Sequence, residues 1–96
     1  MELEWDEEKR QKNLRERGID FALASLMEPE GMVIVRDTRI DYGEPRFISM
    51  GLINGRLHIL CWTPRDERMR VISLRKANER EQKTYSQLAG PPPAPH

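Results

Sequence analysis

The stretch FISMGLINGRLHILCWTPRDERMRVISL, residues 47–74, decides the fold. Two apolar-rich runs, residues 47–53 and 57–63, flank Asn54-Gly55, the strongest short-range signal for a tight β-hairpin. Such a turn needs positive φ at both central residues, which Asn and Gly adopt at least cost. Residues 64–67 read as the next turn and residues 68–74 as a further strand, giving an antiparallel meander. Strict alternation along that last strand puts Arg68 and Arg70 on one face with Ile72 and Leu74, and Arg75 on the other face or in the turn.

Upstream, residues 32–35 (MVIV) form the first strand, and residues 38–44 are polar and turn-like. Pro45 can begin a strand, where its missing N–H does no harm. Two helices precede the strands. Asp6 caps the first, with Glu7 and Glu8 at its positive end and Lys12, Arg15 and Arg17 towards the other. Gly18 terminates it. Leu14 is the one large apolar residue between Asp6 and Arg17, so this helix buries little. A second, short helix starts after Asp20. Its sequence FALASLM is apolar nearly all round and should be buried, and Pro29 closes it by disfavouring helical geometry at Glu28.

Downstream, Asn78 and Glu81 have the spacing of a capping box, with Asn in the usual Ser or Thr place. That helix runs to about Leu88. Gly90 and PPPAPH cannot continue it, and residues 90–96 read as a disordered, proline-rich tail. The expected fold is α+β, with two N-terminal helices, a four-stranded antiparallel meander sheet and a C-terminal helix in one domain, residues 1–89.

A chain of 96 residues, 38% hydrophobic and 33% charged, can bury one modest core, so an open groove or flat surface suits it better than a large enclosed pocket. Its net charge is zero, yet residues 1–44 hold 12 acids and 7 bases while residues 45–96 hold 4 acids and 9 bases. That polarity can steer a polyanion to one end, or dock an acidic partner there. The single cysteine, Cys61, forms no internal disulfide and suits a small core position. No apolar run is long enough to span a membrane and no signal peptide is evident, so the expected location is the cytoplasm.

The basic residues Arg65, Arg68, Arg70, Arg75, Lys76, Arg80 and Lys83 crowd a short interval. They fit either a solvated face with local Glu–Arg pairs or an anion-binding surface, because the guanidinium fork donates paired hydrogen bonds to phosphate. Tyr85 fits either a helix anchor or a residue that stacks on a base or moves a proton. His58 reads as a surface-facing strand residue rather than a general base. No phosphate loop, HExxH or CxxC motif is present, which argues against nucleotide hydrolysis, zinc peptidase chemistry and dithiol redox work. RNA cleavage remains open without a metal or cofactor, since the 2′-hydroxyl is a built-in nucleophile. No base for it stands out.

Three segments in their order and spacing, EWDEEKRQKNLRERGIDF, DYGEPRFISMG and TPRDERMRVISLRKANEREQKTY, resemble the BrnT family of bacterial type II toxins, within the wider RelE-like ribonuclease group. The resemblance covers about residues 4–85. It implies the same helix–sheet–helix fold, metal-independent RNA cleavage that blocks translation, and no cofactor. It also implies a BrnA-like antitoxin with a ribbon-helix-helix domain, operator DNA reached only through that antitoxin, and toxin dimerisation within the complex. Carried over residue by residue, Arg68, Arg70, Arg75 and Arg80 bind or stabilise phosphate with Tyr85 nearby, and Arg46, Arg65, Lys76 and Lys9 contact RNA. Trp5, Asp6, Asn13 and Ser73 also match the pattern. Arg17 stands where the family usually has a histidine, which keeps open an alternative: a non-catalytic protein of the same fold that binds its antitoxin or nucleic acid.

Overall fold

In the computed structural model, which describes residues 2–89, five strands form one mixed sheet. They are β1 (Glu2–Trp5), β2 (Val33–Arg36), β3 (Phe47–Ile53), β4 (Arg56–Arg65) and β5 (Arg68–Lys76), in the order β1-β5-β4-β3-β2. Helix α1 (Glu7–Arg17) and a 3-10 helix (Phe21–Leu26) follow β1, and helix α2 (Glu79–Ala89) follows β5. The proline-rich tail expected at 90–96 lies outside the described residues.

The β2–β5 meander is antiparallel as expected. Asn54 and Gly55 close the β3–β4 hairpin with φ of 51° and 76°, the mirror-image geometry that matches strand twist. The expected turn at residues 64–67 is shorter. Asp66 and Glu67 alone make it, with φ of 51° and 65°, and Pro64 lies inside β4 opposite Met69. Arg65 and Arg68 flank this two-residue turn as a hydrogen-bonded pair, so the next pair, Pro64 and Met69, exchanges no ladder bonds. The missing N–H of Pro64 therefore points away from β5, where β3 has already ended.

The four-stranded, wholly antiparallel sheet must be corrected to five strands. β1 pairs parallel with β5, Glu2 beside Arg68 and Glu4 beside Arg70. Four residues carry almost no strand signal alone, and their partner lies more than sixty residues along the chain. Leu3 and Trp5 hold β1 down by packing against the main core, Trp5 edge-on to Phe21 at 6.4 Å.

The two expected N-terminal helices are one α-helix and one 3-10 helix. In the latter, three residues per turn align Phe21, Ala24 and Met27 in a single buried stripe, while Leu26 is exposed. FALASLM is therefore not buried all round. Asp20 caps this helix through the Ala22 N–H at 2.9 Å. Helix α1 behaves as its composition predicts. Asp6 caps it, Gly18 ends it at φ 68°, and Asn13 is its one buried residue, donating to the carbonyls of Ile19 and Leu74 at 2.9 Å each.

The sheet separates two cores. One face packs Leu60, Trp62, Val71 and Leu74 against Phe21, Ala24 and Met27. Gly51 permits the close approach here, since a Cβ on it would lie 2.6 Å from Cγ of Met27. The opposite face carries a smaller cluster, Met50, Leu57, Ile59 and Ala77, with Tyr85 of α2 resting on it.

Arg10 joins α1 to the 3-10 helix through a fork of two bonds to Asp20, 2.9 and 2.8 Å. That guanidinium, helped by the Ala22 N–H, pushes the Asp20 carboxyl down from 3.8 to about 2. Because the folded value lies below the unfolded one, this contribution to stability is complete above pH 3.8 and is lost as pH falls through 2. Urea titrations across that window should show a smaller loss of stability on acidification in Arg10→Met than in the unsubstituted protein; equal losses would contradict the assignment.

Candidate functional site

Strand β5 carries a bulge. Cys61 faces Ser73 but Trp62 faces Val71, so Ile72 is the extra residue. The bulge resets the alternation. Val71 and Leu74 both enter the main core, and Arg70 and Arg75 emerge together on the opposite face, set against Thr63 and Ile59 of β4. Arg68 and Arg70 thus do not share a face with Leu74, as strict alternation predicted.

On this face the predicted site residues fall into two groups. Arg65, Arg68 and Arg70 sit around the β4–β5 turn, and Arg46 stands just before β3 at the same end of the sheet. The connection is direct, since Thr63 Oγ1 of β4 donates to the carbonyl of Pro45 at 2.6 Å. Arg75, Arg80 and Tyr85 belong to the far end, about 17 Å along β5 at roughly 3.3 Å per residue, while Lys76, at that same end, pairs with His58 and so points to the main-core side of the sheet. Lys9 joins neither group. It lies exposed on α1, which packs on the other side of the sheet.

Carboxylates accompany the first group. Arg70 Nη1 donates to Glu4 Oε2 at 2.7 Å, and both side chains are about three-quarters buried. Arg68 reaches Glu2 at 3.4 Å in an open, exposed pair. Glu44 lies between Arg46 and Arg65 at 3.8 and 3.6 Å. The Arg46 guanidinium stacks 3.9 Å over the Tyr42 ring, and its Nε is buried without an acceptor among the described residues. Tyr42 is itself placed by Asp37, which accepts its hydroxyl at 3.2 Å and the guanidinium of Arg39 at 2.9 and 2.8 Å. The Arg39 bonds hold the buried Asp37 carboxyl far below the usual range, so it stays ionised. Arg36, Ile40, Tyr42 and Arg46 border an open cleft of about 240 Å³ beside this shelf.

The second group is occupied with holding α2. Arg75 forks onto Glu81 at 2.7 and 2.6 Å, and the same carboxylate accepts the Asn78 N–H at 3.0 Å to complete the capping box. These bonds raise the Arg75 value and lower that of Glu81. Tyr85 donates its hydroxyl to the Gly31 carbonyl at 2.8 Å, the geometry of an anchor. Lys76 and Arg80 are exposed. His58 is buried on the main-core side with Nδ1 2.8 Å from the Arg56 carbonyl, not surface-facing as expected. Cys61 is half-buried on the arginine face, and desolvation pushes its thiol up, away from the reactive thiolate. Among the described residues, no three His, Cys, Asp or Glu side chains gather as metal ligands, and no helix is long and apolar enough to cross a membrane.

Fold and surface together define a small α+β protein that presents an arginine- and carboxylate-bearing sheet face. The chain belongs to the BrnT family. The family model for the ribonuclease toxin BrnT of type II toxin–antitoxin systems matches residues 5–81, most of its length. Membership brings ribonuclease toxin character and an antitoxin partner. No curated protein matches the chain.

Sequence reasoning missed Glu2 and Glu4. A signal existed, for Glu-Leu-Glu in β1 and Arg-Met-Arg at the start of β5 have the same period of two and opposite charge. If Tyr85 serves as an anchor, Tyr85→Phe should lower unfolding free energy by about 1 kcal/mol, the net value of one hydrogen bond, and leave RNA cleavage unchanged. Loss of cleavage at unchanged stability would instead give the hydroxyl a chemical role.

Proposed function

We propose that this chain is the toxin of a type II pair, cleaving RNA without a metal ion and so inhibiting translation in the cytoplasm. A BrnA-like ribbon-helix-helix antitoxin neutralises it and carries the pair to operator DNA, and the toxin dimerises within that complex. One observation carries the reading: Arg46, Arg65, Arg68 and Arg70 gather at one end of an otherwise open sheet face.

The chemistry follows from what those groups offer. A guanidinium has five N–H donors in a fixed fork. Among the described residues Arg70 makes one side-chain hydrogen bond, to Glu4, which leaves donors for a phosphate oxygen. A phosphodiester brings its own nucleophile, the 2′-hydroxyl, so the protein has only to align it and stabilise the charge that builds on the phosphorane. Phosphate competes well for Arg46, Arg65 and Arg68, because their carboxylate contacts at 3.4 to 3.8 Å are longer than charge-assisted hydrogen bonds. Arg80, exposed on α2 at the far end of the same face, extends the path to more distant phosphates, and Arg75 stabilises the face by fixing α2.

A second reading rests on the carboxylates themselves. With a partner on each of these arginines, the face also suits a non-catalytic protein that binds an antitoxin or nucleic acid. Purified protein, freed of antitoxin and treated with chelator, separates the two when mixed with total RNA. We expect cleavage leaving 2′,3′-cyclic phosphate ends, and a loss of about 10²- to 10³-fold in rate when Arg70 is replaced by alanine, the scale of one transition-state donor. Binding without cleavage by the unsubstituted protein would support the interaction reading.

A further inference from the structure

A ribonuclease of this kind needs a group that withdraws the 2′-hydroxyl proton. Geometry narrows the choice on the arginine face. His58 lies on the other side of the sheet. The Tyr85 hydroxyl is engaged at Gly31. Glu81 has both oxygens on Arg75 and one of them on the Asn78 N–H. Glu44 stands 3.8 and 3.6 Å from Arg46 and Arg65 with no hydrogen bond from the described residues to fix it, and Glu2, 3.4 Å from Arg68, is 80% exposed.

Glu4 differs from all of these. Its Oε2 accepts from Arg70 at 2.7 Å, while its Oε1 accepts no hydrogen bond from any described residue. Its backbone is fixed by parallel pairing to β5, and its neighbours Leu3 and Trp5 are anchored in the core. The carboxylate is thus placed by a fixed backbone and the Arg70 bond, about three-quarters buried, with one oxygen unengaged by the described residues beside a guanidinium that has donors to spare.

We propose that Glu4 is the general base of RNA cleavage, a role that rests on the ribonuclease reading above. A phosphate seated on the remaining N–H groups of Arg70 brings the adjacent 2′-hydroxyl within reach of Glu4 Oε1. Glu4 takes the hydroxyl proton as the 2′-oxygen forms its bond to phosphorus. The bond from phosphorus to the 5′-oxygen breaks, and that oxygen leaves with a proton from water. The carboxyl then returns its proton to the resulting hydroxide, so charge and protons balance and the products are a 2′,3′-cyclic phosphate and a 5′-hydroxyl. Arg70 has two tasks, orienting the base and stabilising the phosphorane.

The test uses Glu4→Gln, which keeps a hydrogen-bond acceptor for Arg70 but cannot take up the proton. Cleavage of a single-stranded RNA oligonucleotide is measured beside binding of its 2′-deoxy counterpart. Thermal unfolding checks the fold, and Glu2→Gln serves as the neighbouring exposed control. The expected result is a fall in kcat of about 10²- to 10⁴-fold, the usual contribution of a positioned base, with binding retained. Glu4→Ala should regain part of its activity on addition of formate, a small carboxylate that can occupy the vacated place. Wild-type cleavage by Glu4→Gln would overturn the role of Glu4 and leave the arginine reading intact. Parallel loss of binding and cleavage, without rescue by formate, would make Glu4 a positioning residue for Arg70 and likewise overturn the proposal. An unsubstituted protein that binds RNA and never cuts it would remove both.

Discussion

Strand β5 is held from both sides, by β4 through an antiparallel ladder with a bulge and by β1 through a parallel one, and the rest of the molecule depends on that arrangement. The extra residue Ile72 lets Val71 and Leu74, both almost wholly buried, fill the same core while Arg70 and Arg75 appear on the same open face. Without the bulge those two arginines would face opposite sides. β1 then places a carboxylate beside Arg70 at a fixed position in the ladder. Core packing and placement of the charged groups are two consequences of one register.

The face is divided along β5. At one end, arginines and carboxylates stand in short or loose pairs. At the other, Arg75, Glu81 and Tyr85 fasten α2, a helix with no fully buried side chain of its own. The exposed Arg68–Glu2 pair is worth about 1 kcal/mol or less, and Glu44 makes no hydrogen bond to Arg46 or Arg65 at 3.8 and 3.6 Å, so these pairs give little resistance to a phosphate that offers charge-assisted hydrogen bonds. They do lower the bare positive field, which limits the adsorption of any passing polyanion. The tight fork between Arg75 and Glu81 has no such freedom.

Local rules made the antiparallel part of the fold legible. Asn54-Gly55, the caps at Asp6 and Asn78, and the terminator Gly18 each act through their own backbone neighbours, and each sits where those rules put it. Features that depend on distant partners were not legible. β1 becomes a strand because β5 accepts it, the bulge at Ile72 is set by the cores on both sides, and the 3-10 winding of Phe21–Leu26 brings Phe21, Ala24 and Met27 into one row over the sheet. The same limit applied to the site. Arginines were readable as a cluster in sequence, but which of them meet in space, and which are engaged by Glu81, Glu44 or Glu4, depended on register. His58 was misplaced for the same reason, since its buried side is fixed by pairing with Gly51 under Met27.

The salt dependence of binding to a 2′-deoxy oligonucleotide tests the central claim, that phosphate sits on the Arg46–Arg70 end of the face. Each phosphate contact on a single strand contributes about 0.7 to the slope of log affinity against log salt concentration. Arg46→Ala and Arg70→Ala should each flatten the slope by about that amount, while Arg75→Ala leaves it unchanged. A slope insensitive to Arg46 and Arg70 but reduced by loss of Arg75 would contradict the account.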